Sequence, residues 1–334
     1  MTRVAVIGCG YWGPNLVRNF HQLGSLAACC DLSAERLKGI ERLYPGVRTT
    51  QDLQGLLDDP AIDAVVIATP ARTHFSLARQ ALLAGKHVLV EKPLAMSSDE
   101  AGELIAAARK AQRALMVGHT FEYNPAVHKM KEYLRDGTLG DLFYVYSTRV
   151  NLGRVQQDLN ALWSIMPHDI SILVYLLDAL PEAVSAHGAS YVTPGVEDVV
   201  FMYLRFPDGV SAHVHGSWLD PGKVRRMTLV GSRKMVIYDD IDNEARLKVY
   251  DKGVLKTGAD IHGEFQLRLH SGDIYIPQIS MAEPLRNECA HFLECIDGNK
   301  TPVSDGESGL RVIRVLEAAQ CSLENNGQMT EVAG

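Results

Sequence analysis

Residues 3–16 read Arg3-Val4-Ala5-Val6-Ile7-Gly8-Cys9-Gly10-Tyr11-Trp12-Gly13-Pro14-Asn15-Leu16, and Leu26-Ala27-Ala28-Cys29-Cys30-Asp31 follows shortly after. The first apolar run is a short buried strand. The Gly-x-Gly-x-x-Gly sequence turns it into a helix from about Pro14 to Leu23, and the second run is a strand ending in an acid. Each glycine has a separate task in such a turn. Gly8 permits the tight bend, Gly10 lets backbone approach a pyrophosphate at the positive helix N-terminus, and Gly13 lets helix and strand pack closely. Asp31 lies 18 residues beyond Gly13, placed to accept hydrogen bonds from adenosine ribose hydroxyls. A carboxylate there repels a 2′-phosphate, so the expected cofactor is NAD rather than NADP. Tyr11 and Trp12 occupy the variable positions beside it.

The same alternation continues. Ser33 reads as the N-cap of a helix through Tyr44, Ala64–Ala68 as a buried strand, and Thr73–Ala84 as a helix capped by Thr73. His87–Glu91 is a strand, Ser98–Ala111 a helix and Ala114–Gly118 a strand. Strand and helix in turn are the signature of a doubly wound parallel sheet. After residue 120 the pattern changes. Helices are expected at Asn124–Arg135 and His168–Leu177, and strands at Leu142–Asn151, Asp198–Phe206, Val210–Leu219, Val224–Gly231, Lys234–Tyr238 and Arg246–Tyr250. Successive strands without intervening helices argue for an antiparallel sheet. Helix returns at Glu283–Gly298 and Gly309–Asn325. The expected fold is therefore α/β: a Rossmann domain over residues 1–120, then an α+β domain over 121–334 with a large, mostly antiparallel open sheet for substrate binding and oligomerisation.

Composition excludes several alternatives. The 334 residues are 46% apolar and 22% charged, with net charge −7, a poor balance for wrapping nucleic acid or coating an anionic membrane. Residues 1–120 carry +2 and residues 121–334 carry −9. The longest apolar runs have six residues, far below the ~20 needed to span a bilayer. The amino-terminal stretch reads as a strand rather than an export signal. Six cysteines form no Cys-x-x-Cys pair, so reduced thiols in a cytoplasmic protein are expected. No His or Cys spacing suggests a metal site, and His213 and His215, on one strand face, read as oligomer contacts.

Two further motifs sit at strand ends, where ligands of doubly wound sheets bind: Thr69-Pro70-Ala71-Arg72-Thr73-His74 and Glu91-Lys92-Pro93. With the glycine turn and Asp31, in this order and spacing, they resemble the Gfo/Idh/MocA family of oxidoreductases over essentially the whole chain. The resemblance implies that Thr69, Pro70 and His74 line the cofactor, that Glu91 positions cofactor or lysine, and that Lys92 lies at the reacting centre. It also implies that His168, in Ser164-Ile165-Met166-Pro167-His168-Asp169, is the catalytic acid/base. The family's aspartate, four residues before that histidine, is Ser164 here. If one helix begins by residue 164, the two positions share a face, but a serine supplies no charge to hold the imidazole.

Other stretches resemble the subgroup acting on nucleotide-linked sugars: Gly10–Leu16, Gly118–Pro125, Arg149–Gly153 and Asn160–Trp163. By that resemblance His119, Tyr123, Asn124, Asn151 and Asn160 contact substrate, Arg149 clamps a diphosphate, and Trp163 walls the pocket. The implied activity is NAD-dependent oxidation of a sugar hydroxyl, specifically the 3-hydroxyl of a UDP-N-acetylhexosamine, giving a 3-keto sugar. The alternatives are an inositol or polyol dehydrogenase or a ketosugar reductase of the same family, and, because of Ser164, a weakly catalytic NAD-binding sensor or scaffold. The implied assembly is a homo-oligomer, dimer or tetramer, through the second domain's sheet.

Overall fold

The computed structural model describes residues 1–153, 159–256, 267–280 and 282–334. The chain divides into two compact units, Met1–Tyr123 with Ala282–Arg314, and Asn124–Met281 with Val315–Gly334. The division expected near residue 120 is thus one of three crossings.

In the first unit the elements are β1 (Val4–Ile7), α1 (Gly13–Gln22), β2 (Leu26–Cys30), α2 (Ala34–Leu43), β3 (Arg48–Thr50), α3 (Leu53–Leu57), β4 (Ala64–Ile67), α4 (His74–Leu83), β5 (His87–Glu91), α5 (Ser98–Ala111) and β6 (Leu115–Gly118). Among the described residues the strands form one parallel sheet in the order β3-β2-β1-β4-β5-β6. All four residues of β1, β4 and β6 are buried, as a sheet covered on both faces requires. Ser33 caps α2 by accepting the N–H of Arg36. Thr73 does not cap α4. Its hydroxyl donates to the Pro70 carbonyl at 2.7 Å and accepts from the Thr69 hydroxyl at 2.7 Å, so it locks the preceding loop instead.

Residues 282–314 join this unit because α9 (Pro284–Gly298, the ninth α-helix among the described residues) completes its core. Leu285, Cys289 and Phe292 lie on one face of α9 and cluster with Leu16, Phe20 and Cys29. That complement is far away in sequence, so the apolar stripe alone does not reveal which domain it serves.

The second unit contains α6 (Pro125–Arg135), β7 (Leu142–Val150), α7 (Ala161–Ser164), α8 (Pro167–Leu177), β8 (Ala183–Ala189), β9 (Val199–Arg205), β10 (Ser211–Ser217), β11 (Val224–Gly231), β12 (Met235–Asp239), β13 (Leu247–Lys256) and β14 (Leu267–Tyr275). The last helix, α10 (Gly306–Glu324), carries the third crossing, and β15 (Thr330–Glu331) follows. The described strands form one sheet, β14-β13-β12-β11-β7-β10-β9-β8-β15, in which β7 and β10 run parallel and the other neighbours antiparallel. β8 escaped the sequence reading: its Ala183-Val184-Ser185-Ala186-His187-Gly188-Ala189 has few residues of high strand propensity, and pairing with β9 supplies the structure. Along β7, Val145, Ser147 and Arg149 are buried, whereas Tyr144 and Tyr146 are exposed, the period of a sheet with one covered face.

Candidate active site

The glycine turn joins β1 to α1 in the backbone shape that a dinucleotide requires. Gly8 has φ +95°, and a Cβ there would lie 2.7 Å from the Ala68 carbonyl oxygen. A Cβ at Gly13 would meet the Gly8 carbonyl oxygen at 1.9 Å, so only glycine lets helix and strand approach this closely. A Cβ at Gly10 would touch nothing but the Arg36 guanidinium, its nearest atom 3.6 Å away. Gly10 therefore keeps ligand space open rather than relieving a clash. No side chain caps α1; Pro14 has no N–H and the Asn15 N–H donates to the Trp12 carbonyl at 2.9 Å, while the positive end of the helix still favours an anion.

Gly8 and Gly10, with Tyr11 and Trp12, line a cavity of about 630 Å³, walled also by Asp31, Leu32, Thr69 and Pro70. Tyr11 is 88% exposed at its rim, available to cover what binds. Asp31 is buried at the end of β2. One carboxylate oxygen accepts the Cys9 N–H at 2.7 Å and the other accepts the Ser33 N–H at 2.8 Å. It thus fixes the glycine turn and retains lone pairs for ribose hydroxyls. The turn, the uncapped helix and this acid fit NAD.

At the carboxyl ends of β4 and β5, the buried His74 ring lies 2.7 Å from the Pro93 carbonyl and 2.9 Å from the Thr69 carbonyl. It ties the loop lining the cavity to the turn that carries Lys92. Burial lowers its pKa, so one nitrogen donates in the neutral ring. The Lys92–Pro93 peptide is cis. Glu91 accepts the Lys92 N–H at 3.3 Å. Burial of its carboxylate pushes the pKa up to about 7, with Lys92 and Trp12 drawing it back down. Beside it, His119 is 1% exposed, and neither ring nitrogen has a hydrogen-bond partner among the described residues. Burial, reinforced by Lys92, pushes its pKa down to about 3, leaving a neutral imidazole with unused polar atoms.

Glu288 was not recognisable as part of this cluster from sequence. It is fully buried on α9, and burial with the neighbouring charge of Glu91 raises its pKa well above the carboxylate range. The available signal was an acid inside the buried stripe of Leu285, Cys289, Phe292 and Cys295.

Several expected substrate contacts prove to have internal partners. The Tyr123 hydroxyl bonds to Ser304 at 2.9 Å. Asn124 caps α6 through the Ala126 N–H and donates to the Tyr238 hydroxyl at 3.0 Å. Asn160 caps α7 through the Trp163 N–H and donates to Glu197 and Gln320. Arg149 departs furthest from expectation. Its guanidinium is buried against Asp169, with Nε 2.5 Å and Nη2 3.4 Å from the two carboxylate oxygens, and Ser147 donates to Asp169 at 2.6 Å. The arginine thus has a carboxylate partner within its own unit. Asn151 follows β7, half-buried, its N–H donating to Ser217, and Trp163 is buried on α7.

His168 sits in the first turn of α8, but Ser164 ends α7. The condition for a shared helix face, one helix beginning by residue 164, is not met, because Pro167 lacks an N–H and opens a new helix instead of continuing the old one. Helical spacing therefore does not relate Ser164 to His168.

The sequence pattern described as the oxidoreductase family with an NAD-binding Rossmann fold matches residues 2–119, and the GFO/IDH/MocA C-terminal domain matches residues 127–237. The chain belongs to the Gfo/Idh/MocA oxidoreductase family. A UDP-N-acetylglucosamine 3-dehydrogenase of Acidithiobacillus ferrooxidans is 27% identical to this oxidoreductase over 96% of this chain and 97% of its own. Its solved structure matches with a TM-score of 0.81 at 28% identity, covering 98% of both chains. A scyllo-inositol 2-dehydrogenase (NAD(+)) of Bacillus subtilis is 27% identical over 90% of this chain and 88% of its own. A 1,5-anhydro-D-fructose reductase of Ensifer adhaerens is 27% identical over 86% and 85%. This family member is an NAD-binding oxidoreductase with a Rossmann domain and a mostly antiparallel second sheet. Among the described residues no helix is long and apolar enough to cross a membrane.

Proposed function

We propose that this oxidoreductase removes hydrogen from a hydroxyl of a nucleotide-linked sugar, the 3-hydroxyl of a UDP-N-acetylhexosamine, to give a 3-keto sugar. The observation that carries the reading is the likeness to the UDP-N-acetylglucosamine 3-dehydrogenase over nearly the full length of both chains. When bound, NAD supplies a hydride acceptor at nicotinamide C4. Lys92 stabilises negative charge developing on the sugar oxygen. Glu91 and His74 hold the lysine's turn, and the neutral His119 offers ring nitrogens to a polar ligand. His168 receives the hydroxyl proton, a general-base role open to an imidazole nitrogen.

Two observations support rival readings. Inositol and anhydrosugar enzymes show the same 27% identity, which supports a free polyol or ketosugar substrate. Ser164 supports a weakly catalytic NAD-binding protein. Turnover of NAD assayed across UDP-sugars and free polyols separates them, and activity with free polyols alone would overturn the nucleotide-sugar reading. A wild type that binds NAD without turnover, and gains activity on Ser164→Asp, would establish the second rival.

We further propose a cytoplasmic homo-oligomer. The open face of the second unit's sheet carries exposed Tyr144, Tyr146, Phe201 and Tyr203 beside His213 and His215, with the Phe201 and His215 rings stacked 4.3 Å apart. Such a contiguous aromatic patch suits burial against a second copy. A monomer by sedimentation at micromolar concentration would rule this out.

A further inference from the structure

One buried carboxyl of the first unit has no task in the chemistry above. Leu285, Glu288, Cys289 and Phe292 share a face of α9, and the three apolar members pack in one cluster with Leu89 of β5 and Met116 of β6. Glu91 follows Leu89 by two residues on β5 and so points to the same side of the sheet. Its neighbour across the ladder is Gly118, where a Cβ would lie 3.0 Å from a Glu91 carboxylate oxygen. The missing side chain leaves that carboxylate its seat on the side of the sheet that α9 covers. The helix and the loop after it are fixed there: Asn287 donates to the Tyr123 carbonyl at 3.2 Å, and the Ser304 hydroxyl donates to the Val117 carbonyl at 2.7 Å.

Glu288 is fully buried, and neither of its carboxyl oxygens has a hydrogen-bond partner among the described residues. The same holds for the buried Oε1 of Glu91. Fold stability does not account for this arrangement. Burying an ionised carboxylate without donors is costly, and an apolar residue at position 288 would complete the stripe without that cost. The surrounding charges also disfavour ionisation. Glu91 and Lys92 close β5, and the neutral His119 follows β6. Glu122, in the turn Thr120–Tyr123, accepts the Ser308 hydroxyl at 3.3 Å. At the start of α9 Glu283 is paired with Arg18, and burial keeps Cys289 a thiol. Glu91, Glu122 and Glu288 outnumber Lys92, so they do not all carry charge. Burial and the neighbouring charge of Glu91 raise the Glu288 pKa, and Thr120 lowers it only in part.

We propose that Glu288 is a positioning residue for the turn that carries Lys92: it keeps its proton at working pH and offers it to the unpaired oxygen of Glu91, so that Glu91 bears the negative charge beside the lysine. A carboxylic acid held neutral by its surroundings serves as a hydrogen-bond donor in this way. Without the donor, the buried Glu91 takes up a proton of its own, and Lys92 loses the countercharge that orients it. That Lys92 serves the reacting centre is taken from the function proposed above.

The charge states are read on the whole protein without sugar or dinucleotide, so failure of the nucleotide-sugar reading leaves the outcome interpretable. Infrared spectra at pH 8 should show the C=O band of a protonated carboxyl that Glu288→Gln removes. In protein labelled with 13C at the glutamate δ carbon, the Glu91 signal is identified by its loss in Glu91→Gln and followed against pH. Glu288→Gln, which keeps a donor, should leave the Glu91 midpoint within about half a unit of wild type, whereas Glu288→Met, which has none, should raise it by about one unit or more. A Glu288 that merely fills space would not separate these two variants. The proposal is overturned if Glu288→Gln leaves the infrared band intact or moves the Glu91 midpoint by more than about half a unit in either direction. It is equally overturned if a folded Glu288→Met raises the midpoint no further than Glu288→Gln does. Should Glu288→Met fail to fold, the infrared band and the Glu288→Gln midpoint decide alone.

Discussion

Replacing Arg149 by Met should damage the fold of the second unit rather than substrate affinity. Among the described residues, the guanidinium makes two side-chain contacts on Asp169, at 2.5 and 3.4 Å, and Ser147 makes another at 2.6 Å. Both partners are less than 10% exposed, so removing the arginine leaves a buried carboxylate with one hydroxyl donor among the described residues, and removing the aspartate leaves a buried guanidinium without that carboxylate. Breaking such a pair costs about 3–5 kcal/mol, whereas replacing both members with apolar residues is often close to neutral. Against a total stability of about 5–15 kcal/mol, the single change is severe and the pair of changes is mild. Urea unfolding followed by tryptophan fluorescence reads the relevant unit, because Trp163 and Trp218 are buried there. Arg149→Met and Asp169→Leu should each lower the unfolding midpoint strongly, and the double variant should recover most of the loss. If Arg149→Met instead unfolds like wild type and raises KM for a UDP-sugar tenfold or more, the arginine is a ligand group and the reasoning fails.

Gly13→Ala should abolish dinucleotide binding and destabilise the first unit, since its Cβ meets the Gly8 oxygen at 1.9 Å. Gly10→Ala should unfold within about 1 kcal/mol of wild type yet weaken NADH binding at least tenfold, because its Cβ enters ligand space; calorimetry beside a fluorescence titration checks the split. Glu91 has its folded pKa raised from 4.5 to about 7. Its stabilising contribution is complete below pH 4.5 and is lost as pH rises toward 7, up to about 3 kcal/mol. Glu91→Gln should therefore gain stability relative to wild type between pH 5 and 8, and parallel stability–pH curves would contradict the assignment. His74→Phe removes the ring bridging Thr69 and Pro93 and should cost about 1–3 kcal/mol, with kcat falling as Lys92 loses its support. Unchanged kcat in a stably folded variant would deny His74 that positioning role.

Local signals carried the first unit well. The glycine turn, Asp31 and the Ser33 cap each depend on residues within a few positions or on one neighbouring strand, so spacing alone placed them. Thr73 shows the limit even at short range: it sits where an N-cap belongs, but two nearby partners, Thr69 and Pro70, claim its hydroxyl. Longer-range competition decided the second unit. Arg149 and Asp169 are 20 residues apart, Asn124 and Tyr238 114, and Asn160 and Gln320 160. A polar residue at a strand end looks the same in sequence whether it waits for a ligand or for such a partner. Burial separates the two cases, because a buried polar group whose partner is already supplied by the chain has little capacity left for substrate. That criterion sets His119, whose ring nitrogens have no hydrogen-bond partner among the described residues, apart from Arg149, Asn124 and Asn160, whose side chains bond within the second unit. Glu288 follows the same logic in reverse: an acid on an apolar helix face reads as an anomaly until Glu91, nearly two hundred residues away, is placed beside it.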